Sequence, residues 1–165
     1  MSWREDVHIG VLRLGKTLGV KQAPVNGPES YVAIAASETA YSVLKENSGK
    51  LHILPDLDAD CVFSLPTAED GLRYEFISKG VAADAHDWQF DTGSDTNFYL
   101  GGITELDTTA ATVKLEVPDG NSNSIMNVLT PDPGSRIQLI CDGVNWIIEG
   151  MVQSETADAI TWADQ

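Results

Sequence analysis

Positive charge is scarce in this chain. Ten lysines and arginines stand against 25 aspartates and glutamates in 165 residues, a formal net charge of −15. A surface of that sign repels nucleic-acid phosphates and anionic headgroups, so neither nucleic acid nor membrane is expected as a main partner. Long apolar runs are missing as well: no window of about 18 apolar residues offers a membrane span. The opening MSWRED carries acids where an export signal is basic and then greasy. The sequence reads as a soluble protein made without an export signal.

Cysteine is limited to Cys61 and Cys141, each inside an apolar run, the setting of a buried free thiol. A disulfide stays open as the alternative, because sequence does not measure their separation. His8, His52 and His86 lie far apart and no CxxC occurs, so zinc-ligand spacing is lacking. GxSxG, GxxxxGK[ST] and GxGxxG are absent too. That removes the nucleophile elbow, the phosphate-cradling loop and the dinucleotide fingerprint. Neither an enzyme nor a bound metal or cofactor is expected.

What the chain does have is strand grammar. In residues 134–150, GSRIQLICDGVNWIIEG, Ile137, Leu139 and Cys141 alternate with Arg136 and Gln138, and Trp146 and Ile148 sit two apart. Between them lies Asp142-Gly143, the dipeptide that most favours a type I′ hairpin turn. The pattern recurs in residues 61–77, CVFSLPTAEDGLRYEFI, where Asp70-Gly71 separates Val62, Phe63 and Leu65 from Leu72, Tyr74 and Phe76. Such segments predict strands near 31–35, 41–45, 50–54, 60–65, 72–78, 87–90, 97–101, 112–117, 124–129, 135–141 and 144–151. Residues 37–46 include competent helix formers, yet Tyr41 and Val43 favour a strand. The expected fold class is all-β: an antiparallel β-sandwich or jelly-roll-like barrel with an extended N-terminal arm.

Three parts are expected: an arm and hinge at 1–30, a body at 31–152, and an exposed or partner-bound tail at 153–165. In the arm, Trp3, Val7, Val11, Leu14 and Leu18 follow a helical spacing of 4, 4, 3 and 4. Gly10, Gly15 and Gly19 would each cost a helix about 1 kcal/mol, so an isolated helix there is marginal. Residues 1–21 hold Arg4, Arg13, Lys16 and Lys21 against Glu5 and Asp6, leaving a net −17 on the other 144 residues. The breaker cluster APVNGP at 23–28 reads as a hinge.

Some constellations invite chemistry. Phe90-Asp91-Thr92-Gly93-Ser94 matches the apolar-Asp-Thr-Gly-Ser loop of aspartic proteases. But His86, Asp87 and Gln89 interrupt the strand before it, and Ile147-Ile148-Glu149-Gly150 lacks the arginine that should follow downstream. A polar turn, with Asp91 accepting local backbone N–H groups, is the simpler reading. Asp56, Asp58 and Asp60 mimic the start of a calcium loop, yet Cys61 and Thr67 occupy the places of the required Gly and Glu. A looser cation site with Asp84 and Asp87 is the variant of that idea. Trp88, Phe98, Tyr99 and Trp146 are candidates for a sugar groove, though period-2 spacing favours the core.

Three segments together, SGKLHILPDLDADCVFSLPTAEDGLRYEFI at 48–77, NFYLGGI at 97–103 and GSRIQLICDGVNWIIEG at 134–150, resemble the small β-sandwich capsid decoration (cement) proteins of tailed bacteriophages. The likeness spans roughly residues 31–152 and leaves the arm uncovered. Similar modules occur in tail and head fibres, so a receptor- or glycan-binding fibre module is the alternative. Membership would imply a virion structural protein, made in the host cytoplasm, that binds major capsid protein on the outer capsid surface and self-associates, as a homotrimer. Terminal arms in such proteins reach across shell subunits. On that implication Trp3, Val7, Val11, Leu14 and Leu18 are the apolar contacts, and Arg4, Arg13, Lys16 and Lys21 pair with acidic shell patches. Burying the five apolar side chains contributes on the order of 5–10 kcal/mol before ordering costs.

Overall fold

A computed structural model describes residues 31–81 and 85–165. Twelve strands appear: β1 (Tyr31–Ala33), β2 (Ala40–Ser42), β3 (Leu51–Leu54), β4 (Cys61–Ser64), β5 (Arg73–Ser78), β6 (Trp88–Asp91), β7 (Tyr99–Asp107), β8 (Thr112–Glu116), β9 (Ile125–Val128), β10 (Arg136–Cys141), β11 (Trp146–Ser154) and β12 (Ile160–Ala163). A 3-10 turn at Lys45–Asn47 takes up the helix formers that follow Tyr41. Among the described residues no helix is long and apolar enough to cross a membrane.

Alternating burial explains the strands. In both Arg73–Ser78 and Arg136–Cys141 every second side chain is buried, as a sheet with one face on a core requires. Two sheets form, ordered β1-β3-β5-β10-β11-β7-β8 and β12-β9-β6-β4-β2. Their inner faces pack together through aromatic rings: Phe76 of the larger sheet lies 5.6 Å from Phe63 and 4.8 Å from Phe90 of the smaller, centroid to centroid. Tyr99 meets Trp162 at 5.8 Å. Offset and edge-on contacts at such separations add to the apolar area they bury.

The all-β sandwich is therefore present, but its pairing is mixed rather than antiparallel. Half of the ten strand pairings are parallel: β1 with β3, β3 with β5, β2 with β4, β4 with β6, and β7 with β11. From β1 to β6 the chain alternates between sheets at every step, so each strand lies parallel to the next but one. The links are six to nine residues long, and Pro55 and Pro66 stand just past β3 and β4. Links of that length exceed a tight hairpin and suffice to cross the ~10 Å between sheets. The Asp70-Gly71 segment is thus a crossover from β4 to β5, not a hairpin. This winding replaces the hairpin succession of a jelly roll.

The β10–β11 hairpin does form, with Cys141 opposite Trp146, so its loop is four residues rather than a two-residue I′ turn. The Asp142 carboxylate accepts the N–H groups of Asn145 (2.7 Å) and Val144 (2.9 Å), which hold its pKa below the usual carboxylate value. Both cysteines are buried and free, and burial pushes the Cys61 thiol up to about 11.

Two segments depart from the sequence reading. β7 runs to Asp107, well past the expected 101, because its inward positions Glu105 and Asp107 are buried acids that disguise the alternation. Residues 160–163, read as part of a tail, instead form β12 on β9, burying Ala159 and Ile160. The two departures share a cause. Glu105, fully buried, accepts the Ala159 N–H on Oε1 (3.1 Å) and the Ile160 N–H on Oε2 (3.0 Å), anchoring the last strand. Glu105→Gln places an amide donor against one of those N–H groups. It should cost about 2–3 kcal/mol in urea unfolding and accelerate exchange of the Ala159 and Ile160 amides.

His52 is fully buried on the inner face, stacked on Phe76 at 4.6 Å, and its Nδ1 donates to the Glu75 carbonyl (3.2 Å). Nε2 has no partner among the described residues. Burial lowers its pKa below the ordinary 6.5, and the Lys50 charge adds to the effect. The unfolded chain therefore takes up a proton first as pH falls, so stability drops below about pH 6.5 and levels off below the folded pKa. Urea midpoints between pH 7.5 and 5 should fall for the native chain and flatten for His52→Phe.

Candidate functional site

Trp3, Arg4, Val7, Val11, Arg13, Leu14, Lys16, Leu18 and Lys21, the arm residues assigned to partner binding, lie outside the described residues, as does Asp84.

The Asp91 loop is a polar turn. Asp91 Oδ1 accepts the Gly93 N–H (2.7 Å) and the side-chain amide of Gln165, and the buried Thr92 donates its hydroxyl to the Ser94 carbonyl (2.9 Å). These bonds hold the carboxylate in its own turn. The acidic stretch after β3 is similarly engaged with backbone. Asp60 Oδ1 accepts the Asp87 N–H (2.9 Å) and lies 3.6 Å from His86 Nδ1, while Asp87 Oδ1 accepts the Thr130 N–H (3.0 Å). Among the described residues no three His, Cys, Asp or Glu side chains gather to hold a metal.

Trp88, Tyr99 and Trp146 are fully buried, and Phe98 is half-buried. The three buried rings do not line a groove; they fill the sandwich. The neighbouring asparagines stitch two loops together: Asn97 Nδ2 donates to the Val144 carbonyl (2.6 Å), and Asn145 Oδ1 accepts the Phe98 N–H (3.0 Å).

The outer face of the larger sheet is different. Gly102 and Gly150, on β7 and β11, floor an open concavity of about 680 Å³, walled by Thr104, Gln138, Glu149 and Arg136, the last ion-paired to Glu75. Beside it, at the sheet edge, β8 presents Val113 and Leu115 outward, with Val117 just beyond; Ile147 and Met151 of β11 are also exposed. Leu115 and Val117 lean over Gly102, approaching within 3.3 Å of where a Cβ would stand. Contiguous apolar exposure of this kind marks interaction surfaces.

Sequence reasoning places a strand at 112–117, and the structure turns its apolar side outward. The larger sheet has seven strands against five, and at its edge the inward positions of β8 are polar. Lys114 reaches the buried Glu105 (3.4 Å), Glu116 (3.1 Å) and Asp158 of the β11–β12 link; Asp158 foremost holds its pKa above the lysine norm. The signal that could have found this is the buried acid at 105, which needs a cation on the neighbouring strand.

No protein-family model matches the chain, and no curated protein matches it at a significant level.

Proposed function

We propose that this is a non-enzymatic virion protein of a tailed bacteriophage, a decoration protein seated on the outer capsid surface. In this reading it self-associates and holds major capsid protein subunits through its first 30 residues. The observation that carries the reading is where the three family-like segments fall. Residues 48–77, 97–103 and 134–150 supply β3, β10, most of β5 and the first halves of β11 and β7, five successive neighbours of the larger sheet, together with β4 of the smaller one. Apart from β4, residues that resemble one family in separate stretches of sequence thus lie on adjacent strands. A chain whose residues 31–165 carry 6 bases against 22 acids, net −16, and whose first 21 residues are apolar and mildly cationic also suits a protein that grips another protein rather than nucleic acid. The glycan-binding alternative is left without the four-aromatic groove it requires, since three of those rings are buried.

Co-sedimentation with undecorated heads tests the reading. The full chain should pellet with heads, and a chain lacking residues 1–25 should stay folded and soluble but remain in the supernatant. Equal pelleting of the shortened chain would remove the arm from the account; failure of the full chain to pellet would remove the capsid.

A further inference from the structure

The edge formed by β8 is complementary to itself. It pairs with β7 on one side and with no described strand on the other, so one row of its N–H and C=O groups is open for pairing. Open edges are usually blunted by charge or proline. Here the charges Lys114 and Glu116 stand on the inward side and Pro118 lies past the strand's end, so the outward side chains are Val113 and Leu115, 66% and 65% exposed, followed by Val117 at 57%. On the opposite face of the strand stand Lys114 and Glu116, already 3.1 Å apart within one chain.

We propose that β8 of one copy pairs antiparallel with β8 of a second, about a twofold axis at Leu115, joining two seven-stranded sheets edge to edge. Charge selects that register. With Leu115 opposite Leu115, Lys114 faces Glu116 of the other copy on both sides of the axis, and Val113 faces Val117 on the apolar side. A one-residue shift of the axis puts Lys114 opposite Lys114, or Glu116 opposite Glu116. Opposite charges directly across a ladder stabilise it and like charges destabilise it, so the two neighbouring registers are disfavoured. The apolar side of the paired strands then forms one stripe, Val113-Leu115-Val117 against its copy, continuous with the face around Gly102. The inference rests on the self-association proposed above. It makes the symmetry twofold, in place of the threefold that the family resemblance implies, and an isologous contact of this kind closes on two copies.

Cross-linking reads the register directly. In the full chain, Leu115→Cys should form an inter-chain disulfide on mild oxidation, because only this axis brings the two Cβ atoms of residue 115 within disulfide reach. Cys61 and Cys141 are buried and do not compete. Val113→Cys alone should stay uncross-linked, whereas Val113→Cys with Val117→Cys should cross-link. In sedimentation velocity the native chain should be a dimer. Leu115→Lys, at an exposed position, should weaken association by about 100-fold by setting two lysines opposite each other. Ile147→Lys, on the same outer face but away from the edge, should leave the dimer intact. A monomer or trimer at micromolar concentration overturns the proposal. So does a dimer indifferent to Leu115→Lys, a dimer lost in Ile147→Lys, or cross-linking of Val113→Cys alone. Binding to heads is scored separately, so self-pairing and capsid attachment can each fail with the other intact.

Discussion

Gly101→Ala is expected to lower the stability of the body by about 3–5 kcal/mol, the sum of backbone strain and overpacking. Gly101 sits in β7 at φ +101, a conformation that side chains of L-residues rarely adopt, and a Cβ built there would lie 2.3 Å from the Ile148 carbonyl oxygen. That oxygen belongs to β11, paired with β7 over nine positions inside the larger sheet, with β10 and β8 on either side, so it cannot retreat without parting the ladder. Gly49 provides the comparison: its φ is +85, but nothing stands within 4 Å of an added Cβ. Gly49→Ala should therefore cost only the left-handed strain, about 1–2 kcal/mol. Urea unfolding of the two variants separates the terms, and equal losses would mean that the close approach of β7 and β11 is not what demands glycine.

Trp146→Ala should cost about 3–5 kcal/mol, the range for removing a large aromatic from a closed core. The ring is fully buried, packs against Tyr74 at 6.0 Å, and opens β11 directly opposite Cys141. Its Nε1 has no hydrogen-bond partner among the described residues, so the loss is one of packing and not of a polar contact. The same substitution bears on function. A surface aromatic that stacked on sugar would be lost at little cost to stability, whereas a core ring takes a quarter or more of a typical domain's stability with it. A negligible change in the urea midpoint would return Trp146 to the list of binding residues.

Much of this architecture was legible in the sequence because period-2 burial is written directly into side-chain identity. Ile137, Leu139 and Cys141, or Tyr74 and Phe76, announce both a strand and the face it buries. Alternation does not say which sheet a strand joins. β4 and β5 flank an Asp-Gly as a hairpin would, yet they lie in different sheets, because the longer Leu-Pro-containing link lets the chain cross over. The end of β7 and the whole of β12 were hidden by chemistry rather than by weak propensity. Glu105 occupies an inward position that alternation assigns to an apolar residue, and its two backbone partners lie more than 50 residues away. At β8 the alternation was visible but its direction was not, since the core ends before the sheet does. Of the proposed binding residues, the arm stripe came from sequence alone, and the exposed apolar edge came from the structure alone.

A cryo-EM reconstruction of intact virions tests the central claim most directly. The account predicts the two-sheet body on the outer face of the head, with residues 1–25 traced against major capsid protein and Trp3, Val7, Val11, Leu14 and Leu18 buried there. Density for the body on a tail or head appendage, or the first 25 residues packed within their own subunit and touching no shell protein, would contradict it.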